Sequence, residues 1–157
     1  MTLDFKEEGD VIYLLGTSQD DINCSEYLHK ICGVEYSPAP HFDLDEEFNL
    51  QKKLVDLIRK KIVQSAHDLS EGGLFVNLCE SGFNHDLGFS IQTKSDIRKD
   101  AFLFGESQSR VVVTVALEDV KKFESMLNDF PYEKIGVVTS GELVVDGDFW
   151  EIGRAHV

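Results

Sequence analysis

The sequence predicts an α+β or α/β fold, a mixed sheet flanked by helices in a single domain over residues 1–151, and three observations carry that reading. The β-branched run Val111-Val112-Val113-Thr114-Val115 is followed by Val120, Phe123, Leu127 and Phe130 at helical spacing, then by apolar runs at 135–138 and 143–145. The C-terminal half therefore reads β-α-β-β. Residues 11–16 are apolar enough to form a strand buried on both faces. Finally, 157 residues with 42% hydrophobic and 28% charged side chains suit one globular core.

The remaining elements follow in order. Residues 24–32 predict a short helix with Asn23 as N-cap and Gly33 at its end, and Pro38 and Pro40 mark a loop. Asp43 with Glu46 has the form of a capping box, and Leu50, Leu54, Leu57, Ile58 and Ile62 follow at spacings of three and four. This predicts a long amphipathic helix. Ser70-Glu71-Gly72-Gly73 opens a second helix whose apolar face is Leu74, Phe75, Leu78 and Cys79, with Gly82 near its end. Residues 87–91 alternate and predict a strand. Pro131 stops the helix that starts near Val120, and Ser140-Gly141 is expected to join the last two strands in a turn. The helices of Leu50 and Val120 are expected to pack on the sheet, since their apolar stripes need a common surface. Residues 152–157 break the pattern and match one reading frame of a common sequencing adapter. They are read as a non-native tail without packed contacts.

Charge and cysteine usage exclude several classes. Against 15 basic residues stand 29 acidic ones, for a net charge of −14, which repels nucleic acid and anionic membrane surfaces. The cluster of Lys52, Lys53, Arg59, Lys60 and Lys61 alternates with leucines and reads as a solvated helix face. Cys24, Cys32 and Cys79 are odd in number and lack C-x-x-C spacing, so neither a disulfide framework nor a zinc site is expected. No apolar run approaches the roughly 18 residues that span a bilayer, and the first ten residues are acidic. A soluble, cytoplasmic protein is the expectation.

Two segments could carry chemistry. In Ser65-Ala66-His67-Asp68-Leu69-Ser70-Glu71-Gly72-Gly73-Leu74, paired glycines at a helix start expose backbone N–H groups that favour phosphate. Asp68 could hold Mg²⁺ and His67 could donate to a phosphate. The plainer alternative makes Ser70 an N-cap, the glycines packing residues and His67 a satisfied polar core residue. In Phe104-Gly105-Glu106-Ser107-Gln108-Ser109-Arg110, Glu106, Ser107 and Gln108 offer acceptor, hydroxyl and amide groups at a strand entrance, with Glu106 a second candidate metal ligand. The alternative is a polar turn in which Arg110 pairs with Glu106. Taken alone, Ser25-Glu26-Tyr27 is a capped helix turn, and His29, His41 and His85 have no partner at ligand spacing and read as surface. No nucleophile elbow, P-loop or zinc-ligand set is present.

Together, the opening strand (residues 5–16), Ser25-Glu26-Tyr27, residues 65–74 and residues 104–110 resemble the superfamily of aminoimidazole ribonucleotide synthetase. The resemblance is closest to the second, C-terminal synthetase-type domain of phosphoribosylformylglycinamidine synthases and covers nearly all of residues 3–147. It implies an ATP-dependent C–N ligase that converts formylglycinamide ribonucleotide to its amidine, with ATP, Mg²⁺ and ammonia drawn from glutamine. The implied partners are N-terminal synthetase domains of the same protein and a glutaminase domain or subunit. It also implies that most substrate and metal ligands, and the acid/base histidine, lie on those other domains. His67 is then not catalytic, and this chain is a fragment serving as scaffold or auxiliary nucleotide-binding half. Where the family commonly has Gly-Gly before Ser-Glu-Tyr, this chain has Asn23-Cys24, which argues against close ligand contact at that turn. Rival readings are another synthetase of the superfamily and an independent nucleotide-binding or interaction module.

Overall fold

The structure is a computed structural model and describes residues 1–94 and 96–151. β1 (Val11–Leu15) and β4 (Val111–Val115) are wholly buried and lie next to each other. Apart from Thr114 and the Tyr13 hydroxyl, nothing on their side chains needs a polar partner. Around them stand β2 (Ser65–Asp68), β3 (Gly88–Ile91), β5 (Tyr132–Thr139), β6 (Leu143–Val145) and β7 (Asp148–Trp150). The sheet order is β2-β4-β1-β5-β3-β6-β7. Every pairing is antiparallel except β3 with β6, so the sheet is mixed, as the sequence predicts.

Strand alternation sorts the core into two layers. Val11, Tyr13, Leu15, Val111, Val113 and Val115 face α1 (Leu44–Arg59) and α4 (Val120–Leu127), where Leu50, Leu57, Phe123 and Leu127 bury. Ile12, Leu14 and Val112 turn the other way, towards α2 (Gly73–Phe83) and α3 (Lys99–Phe104). The expected packing of the Leu50 and Val120 helices on the sheet is thus observed. Among the described residues no helix is long and apolar enough to cross a membrane.

Several elements differ from the expectation. At residues 24–32 only a π-helical turn, Tyr27–Ile31, forms; Asn23 does not cap it, and the Ser25 hydroxyl instead accepts the Leu28 amide at 3.1 Å. Asp43 caps α1 by accepting from the Asp45 and Glu46 amides, but Glu46 turns to His41 at 3.2 Å, so the box is half formed. Ile62 lies beyond the end of α1 and is buried nonetheless. α4 ends at Leu127, short of Pro131, because Phe130 N donates to Leu127 O at 2.8 Å and closes a turn.

β5 and β6 are not a hairpin, since β3 inserts between them. Phe89 and Ile91 bury in the same layer as Ile135, Val138 and Val145, and Gly136 admits the close approach: a Cβ there would lie 2.0 Å from Ser90 O. Three elements were not expected. β2 is polar and forms by pairing with β4, helped by a Ser65–Thr114 hydroxyl contact of 2.6 Å; α3 and β7 are too short to show a period. The expected non-native tail, residues 152–157, lies outside the described residues.

Tyr13 is fully buried, and its hydroxyl donates to Glu124 Oε1 at 2.7 Å. Burial, then the Glu124 hydrogen bond, push its phenol above the ordinary tyrosine value. The folded state thus holds the proton more tightly than the unfolded one, so this contribution to stability is complete below pH ~10 and is lost as pH rises beyond it. Tyr13→Phe is expected to cost about 1 kcal/mol at neutral pH, the usual worth of one such bond. Urea melts should also show a flatter alkaline decline in the variant.

Candidate functional site

Leu15, Asp68, Val111 and Tyr132 lie level at one end of the sheet. That register brings together connections far apart in sequence. α2 begins there at Gly72 (φ 86°) and Gly73 (φ 69°), both left-handed, a conformation that only glycine adopts without strain. The N–H of Gly72 donates to Glu106 Oε1 at 2.8 Å, and the N–H of Glu26 donates to the same oxygen at 2.8 Å. The three segments singled out from the sequence therefore meet at one carboxylate. An acidic group at a helix start is where the unpaired N–H groups favour it, and here the anion belongs to the chain itself.

The structure places the candidate residues around this latch in different environments. Ser70 does not cap α2 with its side chain; its carbonyl accepts the Gly73 amide at 3.1 Å. Gly73 packs rather than opens, since a Cβ there would lie 2.8 Å from Gly105 O. His67 faces α2, with Nδ1 3.0 Å from Ser81 Oγ and Nε2 3.6 Å from Glu80 Oε2. Asp68 is exposed, and its carbonyl accepts from Asn77 Nδ2 at 2.8 Å. Ser107 is buried, its hydroxyl without a hydrogen-bond partner among the described residues, while Gln108 is exposed.

Arg110 does not pair with Glu106, contrary to the polar-turn alternative. It is 2% exposed and donates through Nε to Ser107 O (3.1 Å) and through Nη2 to Gly105 O (2.9 Å). Burial pushes its guanidinium down to about 10, against the opposing pull of Glu133 and Asp21; it remains a cation at neutral pH. Its work is to brace the 105–107 backbone that presents Glu106.

Sequence reasoning missed other contributors. Asn77 and Ser81 form a polar seam between α2 and β2, with Ser81 Oγ donating to Asn77 O at 2.9 Å. Their i, i+4 spacing on the same side as Leu74 and Leu78 was the available signal. Asp21 accepts the Asn23 amide at 2.7 Å and the His41 amide at 3.2 Å, holding the long connection after β1. Tyr27 stacks on Phe104 at 5.1 Å between ring centres. Cys24, which stands where the resembled family commonly has glycine, has φ 54°. His29, His41 and His85 are exposed, as expected.

As a metal site the arrangement fits poorly. Glu106 Oε1 already accepts two amides, and among the described residues no three His, Cys, Asp or Glu side chains gather in a way that could hold an ion.

The model of the family described as "AIR synthase related protein, C-terminal domain" matches residues 7–148. The chain is 42% identical over 144 residues to the phosphoribosylformylglycinamidine synthase subunit PurL of Alkaliphilus metalliredigens, covering 90% of this chain and 20% of that protein. It spans about a fifth of the length of such curated relatives. Its fold is similar to that of Thermotoga maritima PurL. In the complex with FGAR the TM-score is 0.79 at 16% identity, over 95% of this chain and 27% of that one. In the complex with ATP it is 0.71 at 15% identity, over 96% and 26%. In the T. maritima PurLQS structure it is 0.68 at 16% identity, over 94% and 25%.

Proposed function

Since the chain belongs to the family of AIR synthase related protein C-terminal domains, we propose that it works as the C-terminal synthetase-type domain of a phosphoribosylformylglycinamidine synthase. In that setting the whole protein acts as a ligase of purine biosynthesis. The amide oxygen of formylglycinamide ribonucleotide takes the terminal phosphoryl group of ATP, leaving ADP, and ammonia released from glutamine then displaces that oxygen as inorganic phosphate to give the amidine. The observation that carries this reading is the meeting of Ser25-Glu26-Tyr27, Gly72-Gly73 and Glu106-Ser107-Gln108 at one sheet end through the Glu106 carboxylate.

Phosphoryl transfer depends on positioning and charge stabilisation. This chain supplies only part of that: a latched helix start, a polar turn and the exposed Asp68 and Gln108 at the same end. For a ligand phosphate to reach the Gly72 amide, Glu106 must first release it. Asp68, Ser70, Gly72, Glu106 and Gln108 are the candidate ligand wall, with His67, Gly73 and Ser107 packed behind them as its support, contributed to a site completed by N-terminal synthetase domains. Mg²⁺ would neutralise charge on the triphosphate and is assigned to carboxylates of those domains. Glutaminase and synthetase partners, and a cytoplasmic location, belong to the same proposal.

The test is phosphate release from ATP and formylglycinamide ribonucleotide at high ammonium, with no glutaminase needed. The 157-residue chain alone is expected to show no turnover, and joining it to the preceding synthetase domains of a relative is expected to restore it. Turnover by the chain alone would overturn the partial-site reading, and no turnover by the joined protein would overturn the assignment.

A further inference from the structure

On the α1 side of the sheet, at the same end, lies a cleft of about 600 Å³ between α1, the turn after α4 and the start of the connection after β1. Its volume is that of a small-molecule pocket. Phe130 and Pro131 supply the apolar surface open to the cleft, over the buried Leu50 and Leu127, and the exposed Asn49 and Asn128 line it with Thr17. Lys53 Nζ donates to Met126 O at 2.9 Å and Ser109 Oγ to Glu47 Oε2 at 2.8 Å, so α1 is tied to the neighbouring segments on two sides of the cleft.

The charges decide against an anionic ligand. Lys52 and Lys53 line the cleft with Glu46, Asp56 and Asp129, two cations against three carboxylates. Both lysines are engaged, Lys53 on a carbonyl and Lys52 over the Phe48 ring at 5.8 Å. A phosphate entering here meets net repulsion on a chain of charge −14. What remains is an apolar wall with carboxamides, each offering donor and acceptor atoms in one plane.

The backbone carries an independent observation. Phe130 N donates to Leu127 O, and Asn128, the first central residue of that turn, has φ 43° and ψ −114°. This is the first position of a type II′ turn, where glycine is the unstrained residue. An asparagine kept at a glycine position is stored strain, which collects at ligand clamps.

We propose that this cleft binds an uncharged planar heteroaromatic ring of the nucleobase or nucleoside class, with the ring against Phe130 and Pro131 and its polar edge read by Asn49 and Asn128. The site is separate from the Glu106 latch and does not depend on the ligase reading, because binding is measured on the chain alone without turnover.

The probes are adenine, adenosine and ATP, titrated into the chain by calorimetry and by amide chemical shifts of Thr17, Asn49 and Ser109. Saturable binding of adenine or adenosine, with ATP at least tenfold weaker, is expected. Equal affinity for adenine and adenosine identifies the base alone as the ligand; tighter adenosine adds the ribose. Asn128→Gly is expected to raise the melting temperature by about 2–4 °C while weakening adenosine about tenfold, and Asn49→Ala to weaken it similarly. Absence of saturable shifts up to millimolar probe, ATP binding as tightly as adenosine, or affinity unchanged in both variants would each overturn the proposal.

Discussion

Gly73→Val is expected to cost at least about 3 kcal/mol of folding stability, which places it among the most damaging single substitutions. Two causes add. Gly73 has φ 69°, where a β-branched side chain is strained by itself. Its new Cβ would also lie 2.8 Å from Gly105 O and 2.8 Å from the Cα and carbonyl carbon of Phe104, backbone atoms that cannot swing aside as a side chain would. The loss is large beside a total stability of about 5–15 kcal/mol. Gly9→Val is the control, since Gly9 has φ 89° but nothing within 4 Å of its added Cβ; only the conformational part should appear there. Urea melts of the two variants separate strain from collision. Equal losses would show that the Gly105 backbone yields, and any ligand affinity measured on Gly73→Val has to be corrected for folding.

The second large effect is at Glu106. Glu106→Ala removes the one oxygen that accepts from both the Gly72 and Glu26 amides, and hydrogen bonds to a charged group are worth about 1.5–3 kcal/mol each. A loss of about 3 kcal/mol is expected, with faster hydrogen exchange at those two amides and at Leu28 in the adjoining π-helical turn. Glu106→Gln keeps an acceptor without the charge and should lose about half as much. If exchange at Gly72 and Glu26 is unchanged in Glu106→Ala, the carboxylate does not hold these segments together.

Patterned side chains made much of the fold legible. Val111 to Val115 could be read as a strand because β-branched residues at consecutive positions suit a pleated, doubly covered surface. The stripe through Leu50 and Leu57 announced α1 because its period matches the helix. β2 was illegible for the converse reason: Ser65, Ala66, His67 and Asp68 have neither period nor propensity, and their extended form comes from pairing with β4. Strand order was likewise hidden, since β3 enters between β5 and β6 by burial of Phe89 and Ile91 and by close approach at Gly136.

The candidate site divides in the same way. The sequence by itself marked Gly72-Gly73 and Glu106 as positions to watch, because bare N–H groups and clustered polar side chains are properties of residue type, whereas Ser25-Glu26-Tyr27, a plain capped turn by its residues, stood out only through the family resemblance. Only the tertiary structure decided what they do to one another. A carboxylate 34 residues from Gly72 and 80 from Glu26 reaches both amides, Arg110 braces carbonyls instead of pairing with Glu106, and His67 turns to Ser81. Hydrogen bonds between distant segments depend on sheet register, and register is set by the burial of whole faces, which no single segment encodes.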